Sequence, residues 1–89
     1  MRIKDGYIMK KLGGGYVVVT VGEASDDFNG LIRLNASGAF LWQSILDGAD
    51  TKQKLVDLML KYYDNLDEET AVRDLDEFLE TVAFALEEK

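Results

Sequence analysis

The spacing of apolar residues changes at Asn35, and this change divides the chain into two kinds of structure. Before Asn35, apolar residues come in short runs separated by glycine-rich or polar stretches, as they do in β-strands. After Asn35 they recur every three or four residues, which is the spacing of amphipathic helices. Strands followed by helices predict an α+β fold.

The first third of the chain predicts three strands. Residues 7–12 and 16–21 are rich in apolar and aromatic residues and flank three glycines, a pattern typical of a β-hairpin. In the second run Val17, Val19 and Val21 share one face, and we expect this face to form the core. The four residues 31–34 form a short third strand, whose backbone edge we expect to stay unpaired.

The remainder predicts three helices. Asn35 or Ser37 caps the first, which ends at Asp47 and Gly48, and Thr51 caps a second over residues 52–63. A third opens with the acids at 67–69, where they complement the helix dipole. The prediction is one domain over residues 1–89, with a three-stranded antiparallel sheet followed by three helices, similar to a winged helix-turn-helix.

Histidine and cysteine are both absent from the 89 residues. The commonest general base, the commonest metal ligand and every thiolate are therefore missing. The serines and threonines have no histidine to activate them as nucleophiles. We expect a binding protein that is not an enzyme, with no metal and no cofactor. The only tryptophan, Trp42, is expected in the core, with an interface anchor as the alternative.

The negative charge is concentrated in the last part of the chain. Residues 64–89 carry ten acids and two bases, a net charge of −8, whereas residues 1–63 carry seven acids and eight bases, a net charge of +1. An acidic surface repels phosphate backbones, so we expect no nucleic acid as partner. No apolar run reaches the roughly 18 residues of a membrane span, and none resembles a signal peptide. The predicted location is cytoplasmic, away from membranes.

Residues 30–42, with the sequence GLIRLNASGAFLW, resemble the signature of the PqqD-like family, as do Leu46-Asp47-Gly48 and Thr51 after them. The resemblance implies a peptide chaperone that recognises the leader region of a ribosomally synthesised precursor peptide. Such domains present the leader to a modifying enzyme, often of the radical S-adenosylmethionine (SPASM) type, as in pyrroloquinoline quinone biosynthesis. One departure is the missing glycine turn after the third helix, so we expect residues 81–86 to continue as helix. Helical phasing then places Phe84 away from the core, so it is either an exposed contact residue or the sign of a bend in the helix.

An extended peptide can bind such a domain by adding a strand to the open edge of residues 31–34. We expect the binding groove between the third strand and the third helix, with peptide contacts at Leu31, Ile32, Arg33, Val72, Asp76, Leu79 and Ala83. Ile32, Val72 and Leu79 are equally explained as core residues. The acidic third helix predicts a preference for peptides that carry positive charge.

Two other classes of function remain open from the sequence. A winged-helix DNA-binding regulator would need a basic recognition helix, and the second helix offers Lys52, Lys54 and Lys61 against Asp57. A small oligomerisation or scaffold domain is the other alternative, and a homodimer is compatible with either binding role.

Overall fold

Three antiparallel strands form a sheet that carries three helices on one face. The computed structural model describes residues 1–27 and 30–88. In chain order the elements are β1 (Arg2–Ile3), β2 (Tyr7–Leu12), β3 (Gly15–Thr20), α1 (Ala24–Asp27), β4 (Leu31–Leu34), α2 (Ala36–Leu46), α3 (Lys52–Tyr62), α4 (Glu68–Thr81), a 3-10 helix (Ala83–Ala85) and β5 (Leu86–Glu87).

The main sheet has the strand order β2-β3-β4, and both pairs are antiparallel. Gly13 and Gly14 connect β2 to β3, and Gly13 has a φ of 61°. A two-residue hairpin loop of type II′ needs positive φ at its first central position, which glycine adopts without steric cost. The predicted hairpin, the three-stranded sheet and the three helices after it are confirmed. The likeness to a winged helix-turn-helix stays a prediction.

The predicted core face of β3 was wrong, although Val17 on that face is itself buried. Met9, Val18 and Ile32 lie directly opposite one another across the three strands, and Val18 is completely buried in the core. Val21, by contrast, is 45% exposed. Residues 17–19 are all valine, so the sequence shows no alternation that could tell the inner face from the outer one.

Side chains cap the start of each long helix. The Asn35 carboxamide oxygen accepts the N–H of Gly38 at 2.8 Å, and the Thr51 hydroxyl accepts the N–H of Lys54 at 3.1 Å. Asp67 accepts the N–H of Thr70 at 2.8 Å, and this hydrogen bond lowers the pKa of the Asp67 carboxyl. The caps predicted at Asn35 and Thr51 and the acidic start of the third helix are confirmed.

The core lies between the inner face of the sheet and the three helices. Its completely or almost completely buried large side chains come from β3, from each long helix and from the segment after α4: Val18, Leu41, Trp42, Leu55, Leu75 and Val82. Trp42 is therefore a core residue, as predicted. Its indole Nε1 is buried and has no hydrogen-bond partner in the described part of the chain.

The end of the chain differs from the prediction of a continuous helix. Helix α4 stops at Thr81, and after the 3-10 helix β5 pairs with β1 as a separate two-stranded sheet. Arg2 and Glu87 lie opposite each other in this pair and form a 2.7 Å ion pair. Phe84 packs on the ring of Tyr7 with a centroid distance of 5.5 Å. Pairing across the length of the chain, which helical phasing cannot reveal, thus overrides the helical pattern.

We predict that Trp42→Ala destabilises the fold by about 3–5 kcal/mol, because it leaves a large cavity in the core. The measurement is urea unfolding followed by far-UV circular dichroism. Leu46→Ala is the matched control, since Leu46 lies on the same helix but is exposed, and it should change the free energy of unfolding by less than about 0.5 kcal/mol. Equal losses for the two variants would contradict the placement of the core.

Candidate functional site

Strand β4 is an edge strand of the main sheet. It pairs with β3 on one side, and within the described residues no strand pairs with its other side. An unpaired edge presents a row of main-chain N–H and C=O groups to whatever lies beside it. The open edge of β4 predicted from the sequence is therefore present in the fold.

The register of the sheet identifies which residues of β4 face this open edge. Val21 donates its N–H to the carbonyl oxygen of Gly6 at 2.8 Å. Because hydrogen-bonded pairs alternate along an antiparallel ladder, Tyr16 and Val18 direct their main-chain groups to β4. Their partners Leu34 and Ile32 are thus bonded to β3. The N–H and C=O groups of Leu31 and Arg33 point to the open edge.

A cleft of about 300 Å³ lies between the end of β4 and helix α4. Three elements form its two sides: β4 with the start of α2 on one, and α4 on the other. The residues that line it are Arg33, Leu34, Asn35, Ser37, Gly38, Leu41, Met59, Asp74, Glu77, Phe78 and Thr81. We refer to this set as the cleft. Its position beside the open edge means that a chain segment lying along β4 would also contact α4.

The cleft combines buried apolar side chains with exposed polar ones. Leu41, Met59 and Phe78 are buried core residues that also reach its surface, whereas Asp74 and Glu77 are exposed on α4. Only a small part of these apolar side chains is accessible from the cleft, and Phe78 at 7% is the most exposed of the three. The flexible methionine can adjust its contacts with a side chain that enters. The two carboxylates favour a cation near the α4 side. The arrangement fits an extended ligand with apolar and basic side chains.

Asn35 and Gly38 shape the end of the cleft where β4 continues into α2. A Cβ atom at Gly38 would lie 3.3 Å from the Asn35 side-chain oxygen and 3.4 Å from the Leu34 side chain. The contact with Asn35 is tighter than most packing contacts, so a larger residue would require the Asn35 side chain to shift slightly, whereas the contact with Leu34 is at the edge of ordinary van der Waals distance. Glycine at this position keeps the helix start close to the strand.

The structure brings together only part of the residues predicted for binding. Arg33 borders the cleft, although the alternation along β4 directs its side chain to the face of the sheet away from the core. Leu31 is exposed on the same strand, and Ile32 packs partly against the core. Val72 and Asp76 lie together in a separate depression on α4, and Asp76 pairs with Lys52 at 2.7 Å.

The other two predicted positions also lie away from the cleft. Leu79 packs partly against the core, and Ala83 is exposed in the 3-10 helix. Peptide contacts at Val72, Asp76, Leu79 and Ala83 therefore stay predictions. Other residues of α4 form the wall of the cleft.

Asp74, Glu77, Phe78 and Thr81 are the α4 residues that sequence reasoning missed. Phe78 belongs to the buried stripe of α4 with Leu75 and Val82. Asp74 and Thr81 lie on the flank of this stripe opposite to Val72 and Asp76, and Glu77 borders both the cleft and the depression that contains Val72. The helical period predicts which residues of α4 are buried. It does not predict which of the two flanks of the buried stripe lies next to β4. Asn35 and Gly38 carried a usable signal, since a capping residue directly after a predicted edge strand must lie beside that edge.

Within residues 1–27 and 30–88, no group of three or more carboxylates is arranged to hold a metal ion. None of the helices in these ranges is long and apolar enough to cross a membrane.

Comparison with solved structures shows a shared fold. The structure of TbiB1 in complex with the TbiA(beta) leader peptide matches with a TM-score of 0.73. The match covers 93% of this chain and 88% of that chain, with 24% sequence identity. No protein of curated function matches the sequence.

The sequence also matches a family model. The model of Coenzyme PQQ synthesis protein D (PqqD) aligns with residues 11–83, which include the hairpin loop, β4, the cleft and all three long helices. The chain belongs to the PqqD family.

Proposed function

We propose that the chain is a non-catalytic accessory domain that binds the leader segment of a ribosomally made precursor peptide. The leader adds a strand to β4, and the domain presents the remainder to a separate modifying enzyme of the radical S-adenosylmethionine type. The observation that carries this proposal is the open edge of β4 directly beside the cleft. Membership of the PqqD family and a fold shared with TbiB1, a protein solved with a leader peptide, support it.

A peptide strand beside β4 would present its side chains alternately to the two faces of the sheet. Side chains that point the same way as Ile32 and Leu34 enter the cleft, where Met59 and Phe78 offer an apolar contact. Those that point the same way as Leu31 and Arg33 face outward. We therefore expect an apolar anchor at every second position of the bound segment.

Main-chain hydrogen bonds alone are too weak to explain specific binding. Leu31 and Arg33 offer two groups each, hence four hydrogen bonds to an added strand. At a net value of about 1 kcal/mol each, they contribute about 4 kcal/mol, which corresponds to a dissociation constant of about 1 mM. Ordering a flexible peptide lowers this further. Apolar anchors in the cleft must supply the remainder of the affinity.

The lysines of α3 argue against the DNA-binding alternative. Lys52 is paired with Asp76 on α4, and Lys54 is paired with Asp50 at 2.9 Å. The hydrogen bond from Lys54 lowers the pKa of Asp50, which keeps that carboxylate charged. Two of the three lysines that could contact phosphates are therefore neutralised locally. The basic surface that a recognition helix requires is absent from the described part of α3.

We predict that Arg33→Pro weakens leader binding at least about tenfold, because proline removes one edge N–H and its ring obstructs the added strand. Proline is tolerated on an edge strand where the N–H faces outward, so the fold should survive. Arg33→Ala is the matched control, since it removes the same side chain but keeps the N–H. Isothermal titration with the leader of a precursor peptide encoded beside this chain gives both affinities, and circular dichroism confirms folding.

If folded Arg33→Pro binds the leader as well as Arg33→Ala does, the peptide does not pair with β4. If the unaltered chain binds no such leader, the proposed function itself is wrong.

A second pair of variants tests which flank of α4 faces the peptide. Asp74→Asn should weaken binding of a leader with basic residues by about two- to fivefold, the size of an exposed ion pair. Asp76→Asn lies on the opposite flank and should change the affinity by less than Asp74→Asn does. The measurement is the dissociation constant at low and at high salt. A larger loss for Asp76→Asn would place the peptide in the depression that contains Val72.

A further inference from the structure

The outer face of the main sheet carries exposed apolar residues on both of its edge strands, β2 and β4. Its outward positions are those that alternate with the core-facing residues of β2, β3 and β4: Ile8, Lys10, Leu12, Gly15, Val17, Val19, Leu31 and Arg33. We refer to this set as the outer face. Ile8 is 41% exposed, Leu31 is 51% exposed and Leu12 is 55% exposed. Antiparallel sheets with one solvated face normally place polar residues there.

Ile8, Val19 and Leu31 form an apolar row across the sheet, in which Ile8 and Leu31 are exposed and Val19 is half-buried. Ile8 lies opposite Val19, and Val19 lies opposite Leu31, so the row crosses all three strands. Directly opposed residues in neighbouring strands have Cβ atoms about 4.5–5.5 Å apart, close enough for their side chains to touch. Contiguous exposed apolar surface of this kind is typical of a protein interaction site.

The charges beside this row indicate the chemistry of the partner. Lys10 and Arg33 lie on either side of Val17 in the next row, and the eight outward positions include no acidic residue. Two copies of the chain packed through this face would bring four cations together without a counter-charge. The face is therefore complementary to an apolar surface with carboxylates at its margin and not to itself.

The outer face is also continuous with the edge that receives the peptide. Leu31 and Arg33 have their side chains on this face, while their main-chain groups point to the open edge. A strand added to β4 would place every second side chain beside Leu31 and Arg33 and so extend the outer face by one strand. A protein docked there would contact the domain and the peptide together.

We propose, on the basis of the proposed function, that the modifying enzyme docks on the outer face through an apolar surface bordered by aspartate or glutamate. The enzyme thereby recognises the peptide-loaded domain in preference to the empty one. Binding of leader and binding of enzyme use different sides of β4, so one can be altered without the other.

The test uses variants on β2, the strand farthest from the peptide edge. Lys10→Glu reverses a charge on the outer face, and Ile8→Thr replaces an apolar residue with a polar β-branched one that suits a strand. Lys11→Glu is the matched control, because Lys11 is exposed on the same strand but has inward parity. Each variant is titrated with the leader alone and, once loaded, with the radical S-adenosylmethionine enzyme encoded beside this chain.

All three variants should bind the leader within twofold of the unaltered chain. Lys10→Glu and Ile8→Thr should lose enzyme affinity at least tenfold, and Lys11→Glu should lose less than twofold. Equal effects of Lys10→Glu and Lys11→Glu, with leader binding intact, would overturn the docking face and leave the proposed function standing. An unaltered chain that binds enzyme but no leader would overturn the proposed function and the preference for the loaded domain, and leave the docking face standing. Sedimentation showing a dimer that Ile8→Thr dissociates would assign the face to a second copy and overturn this proposal.

Discussion

The hydrogen bond between the Asn35 side chain and the N–H of Gly38 fixes the junction of β4 and α2, and the rest of the site depends on this junction. It starts α2 immediately after β4, so the edge strand and the helix share a corner. Gly38 allows this corner to be tight, because a Cβ there would press on Asn35. The cleft begins at this corner, and α4 closes its other side. The open edge of β4 therefore lies directly beside the side chains of the cleft.

The hydrogen-bond pattern of the sheet determines in which direction each residue of β4 points its main-chain groups and its side chain. Ile32 and Leu34 bond to β3 and turn their side chains inward, whereas the main-chain groups of Leu31 and Arg33 point to the open edge. The four residues of β4 thus contribute side chains to the core and to the outer face, and main-chain groups to the open edge. The charge follows the same division, with acids on the α4 side of the cleft and cations on the outer face. A peptide and a protein partner can accordingly be distinguished by charge.

Much of this fold could be predicted from the sequence, because its signals are local. The glycine hairpin, the caps at Asn35 and Thr51 and the periods of two and 3.6 each depend on residues near one another. The pairing of β1 with β5 could not be predicted, since two-residue strands carry no period and lie at opposite ends of the chain. The inner face of β3 was hidden by three consecutive valines. At the site, the edge strand was predictable, but the flank of α4 beside it was not, because phase alone does not distinguish the two flanks.

The most direct test of strand addition is amide hydrogen exchange of β4 with and without saturating leader peptide. In the free chain, Ile32 and Leu34 should exchange slowly because they are bonded to β3, and Leu31 and Arg33 should exchange fast. Bound peptide should slow Leu31 and Arg33 and leave the protection of Ile32 and Leu34 nearly unchanged. Leu31 and Arg33 amides that exchange equally fast in the free and the saturated chain would contradict the account.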